Sequence, residues 1–274
     1  MPSFATPGHA RLKVRNPAGD VRVETAETAE TTVELVPLDG SEATREAIGR
    51  ARVEARGDEV VVELDGRTWS ISIGGWGIGG SPKVGVRIHC PHGSDLACDT
   101  AAADLVVEGR VGELRLRTAS GDARIDHVGG PLSAKTASGD LRVARVDGRA
   151  EVHTVSGDVE VGEARDGLEV SSISGDVLVG EVSGDLTVGS VSGDQTVRTA
   201  GPGRVALKSV SGDVHVAIRR GLRVKLDVNS LSGSIDSELE VGDAPAGGGA
   251  GDAELRVRTT SGDVRISRAA TVEA

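Results

Sequence analysis

Six aspartates, Asp104, Asp122, Asp140, Asp158, Asp176 and Asp194, recur at intervals of 18 residues. Carboxylates at a fixed interval suit a row of hard cations, which take several oxygen ligands each. Glycine-rich β-rolls hold calcium between corners in this way, with Gly-Gly-x-Gly-x-Asp on both edges. Here the Gly and Asp supply is thinner and lies mainly on one edge. The alternative is structural: each Asp accepts backbone N–H bonds at a turn while Ser and Thr ladder beside it. Like charges stacked about 5 Å apart repel, so a compensating group is required either way. The structural reading is preferred. The cation ladder of Asp122, Asp140, Asp158, Asp176 and Asp194 is the lesser alternative, and no metal is assigned.

Other reactive residue types fare less well. His89, Cys90, His92 and Cys98 lie close in sequence, but zinc needs four convergent ligands. Cys90 continues the alternation of Val86 and Ile88, so His89 points away from it. Two core thiols around a Pro91–Gly93 turn are expected. Serines beside glycine are many, yet no G-x-S-x-G elbow occurs. His127, His153 and His215 occupy repeat positions as solvated residues. β-Helices do host polysaccharide hydrolases and lyases, whose clefts combine acids with aromatic platforms. This chain has no Tyr, two Trp and one Phe. No catalytic residue, cofactor or small-molecule substrate is assigned. Trp76, inside the glycine-rich 74–80 (GGWGIGG), is expected to plug or cap, with a partner anchor as the alternative.

The elements that position these residues follow from a repeat. Residues 96–194 tile as eleven nonapeptides without a gap. Positions 1 and 3 are apolar throughout, from Leu96 and Cys98 to Leu186 and Val188, and position 2 is largely polar. That alternation is the period of a half-buried strand. Position 8 is Gly in nine of eleven units, which suits a corner of positive φ. Alternate units end in T-x-S-G-D, as at Thr118–Asp122, with Ser in the Thr position at Ser172 and Ser190. One coil is therefore 18 residues: two strands and two unlike corners. Lone strands cannot bury their inner face, so coils must stack in parallel into a solenoid. Right-handed winding is expected of parallel crossovers.

Residues 1–95 are less regular, with alternating strands and a short capping helix at about 42–51 after Ser41. They are expected to be continuous with a solenoid over 96–268. Residues 242–253 read as a flexible glycine-rich loop. The net charge is −11 with no basic cluster, which argues against nucleic acid. No apolar stretch is long enough for a membrane helix, and no secretory signal is recognised. Two cysteines are too few for a disulfide scaffold. The expected compartment is the cytoplasm, with the cell surface as the alternative.

These features carry a resemblance. Asn16–Val21, then Val86-x-Ile88-x-x-Pro91-x-Gly93, then the copies of T-x-S-G-D-V-x-V resemble the bacterial β-strand-repeat family of unknown function catalogued as a "putative adhesin". The likeness covers nearly the whole chain. It implies a parallel β-solenoid without established enzymatic activity.

The expected fold is all-β, a parallel β-solenoid. The expected function is a non-catalytic scaffold or protein-binding module. The alternatives are an exported surface adhesin and a divergent β-helix enzyme acting on polysaccharide. Between Val177 and Val197 the outward positions turn small and neutral. Leu178, Thr187 and Thr196 are the candidates there for contact with a protein partner or a second copy.

Overall fold

Alternation in the sequence becomes alternation in space. Leu141 and Val143 are buried while Arg142 and Ala144 are exposed, and the same pattern runs through strand after strand. A computed structural model of the chain describes residues 2–65, 72–73, 76–77, 82–239 and 252–270. The fold is all-β, a parallel β-solenoid. It divides into two compact units, residues 1–140 and 141–274, each taken by itself below.

The first unit contains β1 (Ser3–Ala5), β2 (Arg11–Ala26), β3 (Glu30–Pro37), α1 (Glu42–Arg50), β4 (Arg52–Arg56) and β5 (Glu59–Glu63). The short β6 (Ser72–Ile73) and β7 (Trp76–Gly77) pair with each other. Then come β8 (Val84–Pro91), β9 (Asp95–Val111), β10 (Leu114–Thr118), β11 (Ala123–Val128) and β12 (Leu132–Thr136). β2 and β9 are long enough to turn a corner, so each supplies both strands of a coil. They pair in parallel from Arg11↔Asp95 to Glu24↔Glu108. The two halves of β9 continue onto β10 and β11. The two halves of β2 pair on their other side with β5 and β8. The first long strand of the chain is thus an inner layer of the stack.

Asn16 makes the β2 corner. It is 1% exposed, and its amide donates to the carbonyl of Val84 at 2.9 Å and of Asp20 at 3.3 Å. Antiparallel β3 and β4 cover β8 and β5, and β1 follows on β3. An edge of parallel strands that would otherwise invite pairing is thereby closed. α1 forms where expected. Ser41 caps it, accepting the Thr44 N–H at 3.1 Å. Buried Thr44 in turn accepts the Lys83 N–H at 3.0 Å, and the helix lies against β3 and β8.

The second unit runs β13 (Leu141–Val146), β14 (Ala150–Ser156), β15 (Val159–Ala164), β16 (Leu168–Ser174), β17 (Val177–Val182), β18 (Leu186–Ser192) and β19 (Gln195–Ala200). It continues with β20 (Gly203–Ser211), β21 (Val214–Ile218), β22 (Arg223–Ser232), β23 (Ile235–Ser237), β24 (Asp252–Ser261) and β25 (Val264–Arg268). Odd strands stack on odd and even on even, in the 18-residue register Leu141↔Val159↔Val177↔Gln195. At the far end, stacking order departs from chain order. β24 pairs with β20 on one side and β22 on the other, and β25 lies between β21 and β23. The last coil of the chain is inserted beneath the one before it.

Val, Leu, Ile and Ala fill the inner columns. A fully buried side chain of the larger kinds is worth about 1.5–3 kcal/mol, and each is covered above and below by its column neighbours. Gln195, 1% exposed between Val177 and Val214, is a polar residue in one of these columns. Its amide nitrogen reaches the Lys208 carbonyl at 2.8 Å. The glycine-rich segments expected to loop, 74–80 and 242–253, fall largely outside the described residues.

The corner glycines correct one expectation. Gly157, Gly175, Gly184 and Gly193 do have positive φ, but Gly121 and Gly139 do not. Those two are glycine for another reason. A Cβ there would overlap the carbonyl oxygen of the preceding coil, at Ala103 and at Gly121. Gly193 combines both constraints, with φ of 114° and no room beside the Gly175 carbonyl. Gly193→Ala is expected to cost about 2 kcal/mol or more. Gly189→Ala, into open space inside a strand, is expected to be neutral or stabilising by up to about 1 kcal/mol. Denaturant melts of the two variants check this.

Candidate functional site

The aspartate column is held by backbone amides. In the second unit Asp158 Oδ1 accepts the N–H of Asp176 at 2.9 Å, and Asp176 accepts that of Asp194 at 2.8 Å. Asp194, Asp213 and Asp263 then take the N–H groups of Asp213, Asp263 and Ser234, each at 2.8 Å. In the first unit Asp104 and Asp122 take those of Asp122 and Asp140 at 2.9 and 3.0 Å. Hydrogen bonds to a carboxylate are the stronger kind, and solvent screens what repulsion remains. The Ser234 N–H also holds the Asp263 carboxyl below the usual carboxylate range. The opposite edge repeats the device at two places. Asp95 accepts from Glu113 at 2.8 Å and Asp185 from Arg204 at 2.9 Å. Among the described residues no three His, Cys, Asp or Glu side chains group to hold a metal ion.

The residue between Thr and Ser of T-x-S-G-D sets the corner's form. In the first unit it is Ala119 or Ala137. The strands there end at Thr118 and Thr136, whose hydroxyls accept the Gly121 and Gly139 N–H at 3.0 and 3.1 Å. In the second unit it is Val155, Ile173, Val191, Val210 or Thr260. β-Branched residues favour extended backbone, and the strands run two residues further, to Ser156, Ser174 and Ser192. The hydroxyls of Thr118 and Thr136 donate to the carbonyls of Gly121 and Gly139, whereas those of Ser172 and Ser190 donate one residue earlier in the corner, to Ser174 and Ser192 at 3.3 and 3.0 Å.

This extension puts aliphatic side chains outside. Val155, Ile173, Val191 and Val210 are 48, 53, 48 and 50% exposed and stand in register. At one coil per about 4.8 Å they form a ridge. Sequence reasoning fixed on the outward strand positions and missed it. The signal was the change from Ala119 and Ala137 to Val155, Ile173 and Val191 in one repeat column.

The residues singled out earlier are dispersed. Leu178 on β17 and Thr196 on β19 are in register and adjacent. Thr187 is on β18, in the other column of strands, with Glu169 as its neighbour. Trp76 lies in β7 opposite Ile73, and its side chain is outside the described residues. Cys90 and Cys98 are buried, free thiols. His89 faces outward to Glu24 at 3.1 Å, whereas His92 Nδ1 meets Thr25 Oγ1 at 2.9 Å, so the four do not converge.

A groove of about 560 Å³ lies between Asp185, Arg204, Arg223, Lys225 and Glu254. Glu254 is engaged there by Arg204 at 3.3 Å and Lys225 at 3.6 Å, and Arg204 above all holds its carboxyl below the usual range.

A solenoid with carboxylate-laddered corners defines a class of repeat proteins, and the comparisons agree. Residues 9–267 match the Toastrack family, DUF4097, and the chain belongs to it. No curated protein matches. Among solved structures, one similar to it is a "putative adhesin" from Parabacteroides distasonis, 11% identical, with a TM-score of 0.56. The match covers 96% of this chain and 95% of that one. Another is a "putative lipid binding protein" from the same species, 13% identical, with a TM-score of 0.52, covering 97% and 95%. At these identities the likeness is one of fold.

Asp176→Asn keeps the Oδ1 acceptor, and the weaker bond is offset by relief of repulsion along the column, so it is expected to melt within about 0.5 kcal/mol of wild type. Asp176→Ala leaves the Asp194 N–H without it and should cost about 1 kcal/mol or more. A calcium-dependent melt that the Asn variant abolishes would instead revive the cation ladder. The cysteines give a second check. Burial pushes the Cys90 thiol up to about 11 and Cys98 up to about 12. The fold favours the neutral thiols, so their contribution is complete below the ordinary thiol range and declines as pH rises through it toward those values. At pH 8 neither is expected to react with a thiol reagent on the native timescale, and both should react in denaturant.

Proposed function

We propose that this chain is a non-catalytic, adhesin-like scaffold that binds a protein partner along the corner ridge of Val155, Ile173, Val191 and Val210. The observation that carries the reading is the ridge itself: aliphatic side chains about half exposed on four successive coils of the second unit, beside a ladder of serines and carboxylates. Branched side chains anchored in strands lose little entropy on binding. The neighbouring Asp and Ser rows supply a polar rim, as at protein–protein contacts. The name of the Parabacteroides distasonis neighbour, "putative adhesin", points the same way. Among the described residues no helix is long and apolar enough to cross a membrane. Two free thiols support the cytoplasm as the working compartment, and the cell surface is the alternative.

The test combines location and mutation. Protease shaving of intact native cells comes first: protection supports the cytoplasm, and digestion moves the binding role to the surface. Proteins crosslinked to the wild-type chain in those cells are then compared with those crosslinked to a Val155→Thr, Ile173→Thr, Val191→Thr, Val210→Thr variant. Melting should change little, because each position is solvent-facing and threonine keeps the β-branching that holds the corner extended. At least one abundant wild-type crosslink is expected to fall about tenfold or more. An unchanged crosslink profile with an intact fold would refute the ridge.

A further inference from the structure

The second unit ends in a coil that nothing among the described residues covers. Among the described residues β22 pairs with β24 alone, on one side. Its inward-facing Leu226 is 37% exposed, whereas its register partner Leu255 is 1% exposed. The direction of its free backbone groups follows from the other coils. The first inward residue of each strand donates its N–H forward, as Leu96 does to Glu113, Leu114 to Pro131 and Val264 to Ser234. Leu226 holds that same place in β22. Its N–H and C=O therefore point away from β24, as do those of Val224 and Val228 two residues to either side. This is an edge ready to receive a strand.

The charges on the edge select the strand. Lys225 and Asp227 flank Leu226 on the outward face, where Lys225 is 3.6 Å from Glu254 and Asp227 is 3.0 Å from Arg256. Consider a second β22 laid antiparallel about a two-fold axis through Leu226. Leu226 of each copy then exchanges both backbone bonds with its counterpart, and Val224 faces Val228 over the open core. Lys225 and Asp227 fall in the closer, non-hydrogen-bonded pairs, and each Lys225 meets the other copy's Asp227, so the pair forms at two symmetry-related places. The outward face then reads Arg256, Asp227, Lys225, Glu254 across the junction, alternating in sign. A register centred on Asp227 sets aspartate against aspartate. One centred on Val228 leaves Lys225 opposite Leu231.

We infer that the β22 edge is a self-association site, joining two copies of this chain through antiparallel β22 strands centred on Leu226. The symmetry closes the contact, so the product is a dimer and not a filament. This site is separate from the ridge and does not depend on it.

Sedimentation velocity of the full chain over about 1–200 µM tests this. The wild type is expected to shift from monomer to dimer with concentration. Lys225→Glu and Asp227→Lys each set like charges together at both symmetry-related places and should each weaken dimerisation about tenfold or more. Mixed in equal amounts, the two variants regain opposite charges at both places, so a one-to-one heterodimer should reappear with near wild-type affinity. That recovery also shows both variants folded, and melting curves confirm it for each alone. A monomeric wild type, assembly beyond dimers, undiminished dimers in either folded variant, or a mixture of folded variants that stays monomeric would each overturn the assignment.

Discussion

A carboxylate lying on the backbone N–H of the next coil is the contact on which the rest of the structure leans. It turns the most awkward feature of the sequence, like charges at a constant interval, into a spacer. The side chain of one coil caps the corner amide of the next, so corners must superpose and coils must rise by one strand spacing. Once corners superpose, the inner columns superpose too, and valine and leucine suffice to fill them. No aromatic side chain is needed to bridge the two columns of strands. Glycine follows from the same geometry, because only a residue without Cβ lets one corner carbonyl sit against the next corner.

The ladder also accounts for its own ends. A carboxylate is useful only where another coil lies beyond it. The degenerate Ser232-Gly233-Ser234 belongs to the outermost described coil of the second unit, and Ser234 supplies its N–H to Asp263. The missing aspartate is thus a mark of position. Asn16 plays a comparable part in the first unit, where a side-chain amide reaches the backbone of the terminal coil.

Much of this was legible. Columns of Leu and Val at positions 1 and 3, with Gly at position 8, specify strand, turn and coil without reference to anything distant. Ser41 placed α1, and the reversal of Cys90 against His89 placed both thiols inside. What was not legible depended on contacts far apart in sequence. Local pattern cannot say that 252–268 slides between 203–218 and 223–237, since each of these segments carries the same alternation and would pair equally well in order. The ridge was hidden for a different reason. Corner form depends on whether alanine or a β-branched residue precedes Ser-Gly-Asp, a distinction that a tally of apolar and polar positions passes over.

The inserted last coil bears on how the molecule is made. During synthesis β22 and β23 leave the ribosome before β24 and β25, yet they have no lasting partner until those strands arrive. The preceding coil offers the same edge to both, so an early, misordered docking of β22 on β20 must stay reversible until residues 252–268 emerge. Completion is therefore a late event that joins Asp213 to Asp263 across 50 residues. A chain cut short before residue 252 would not simply be shorter. It would lack an internal layer, and its outermost strands would settle in the wrong place.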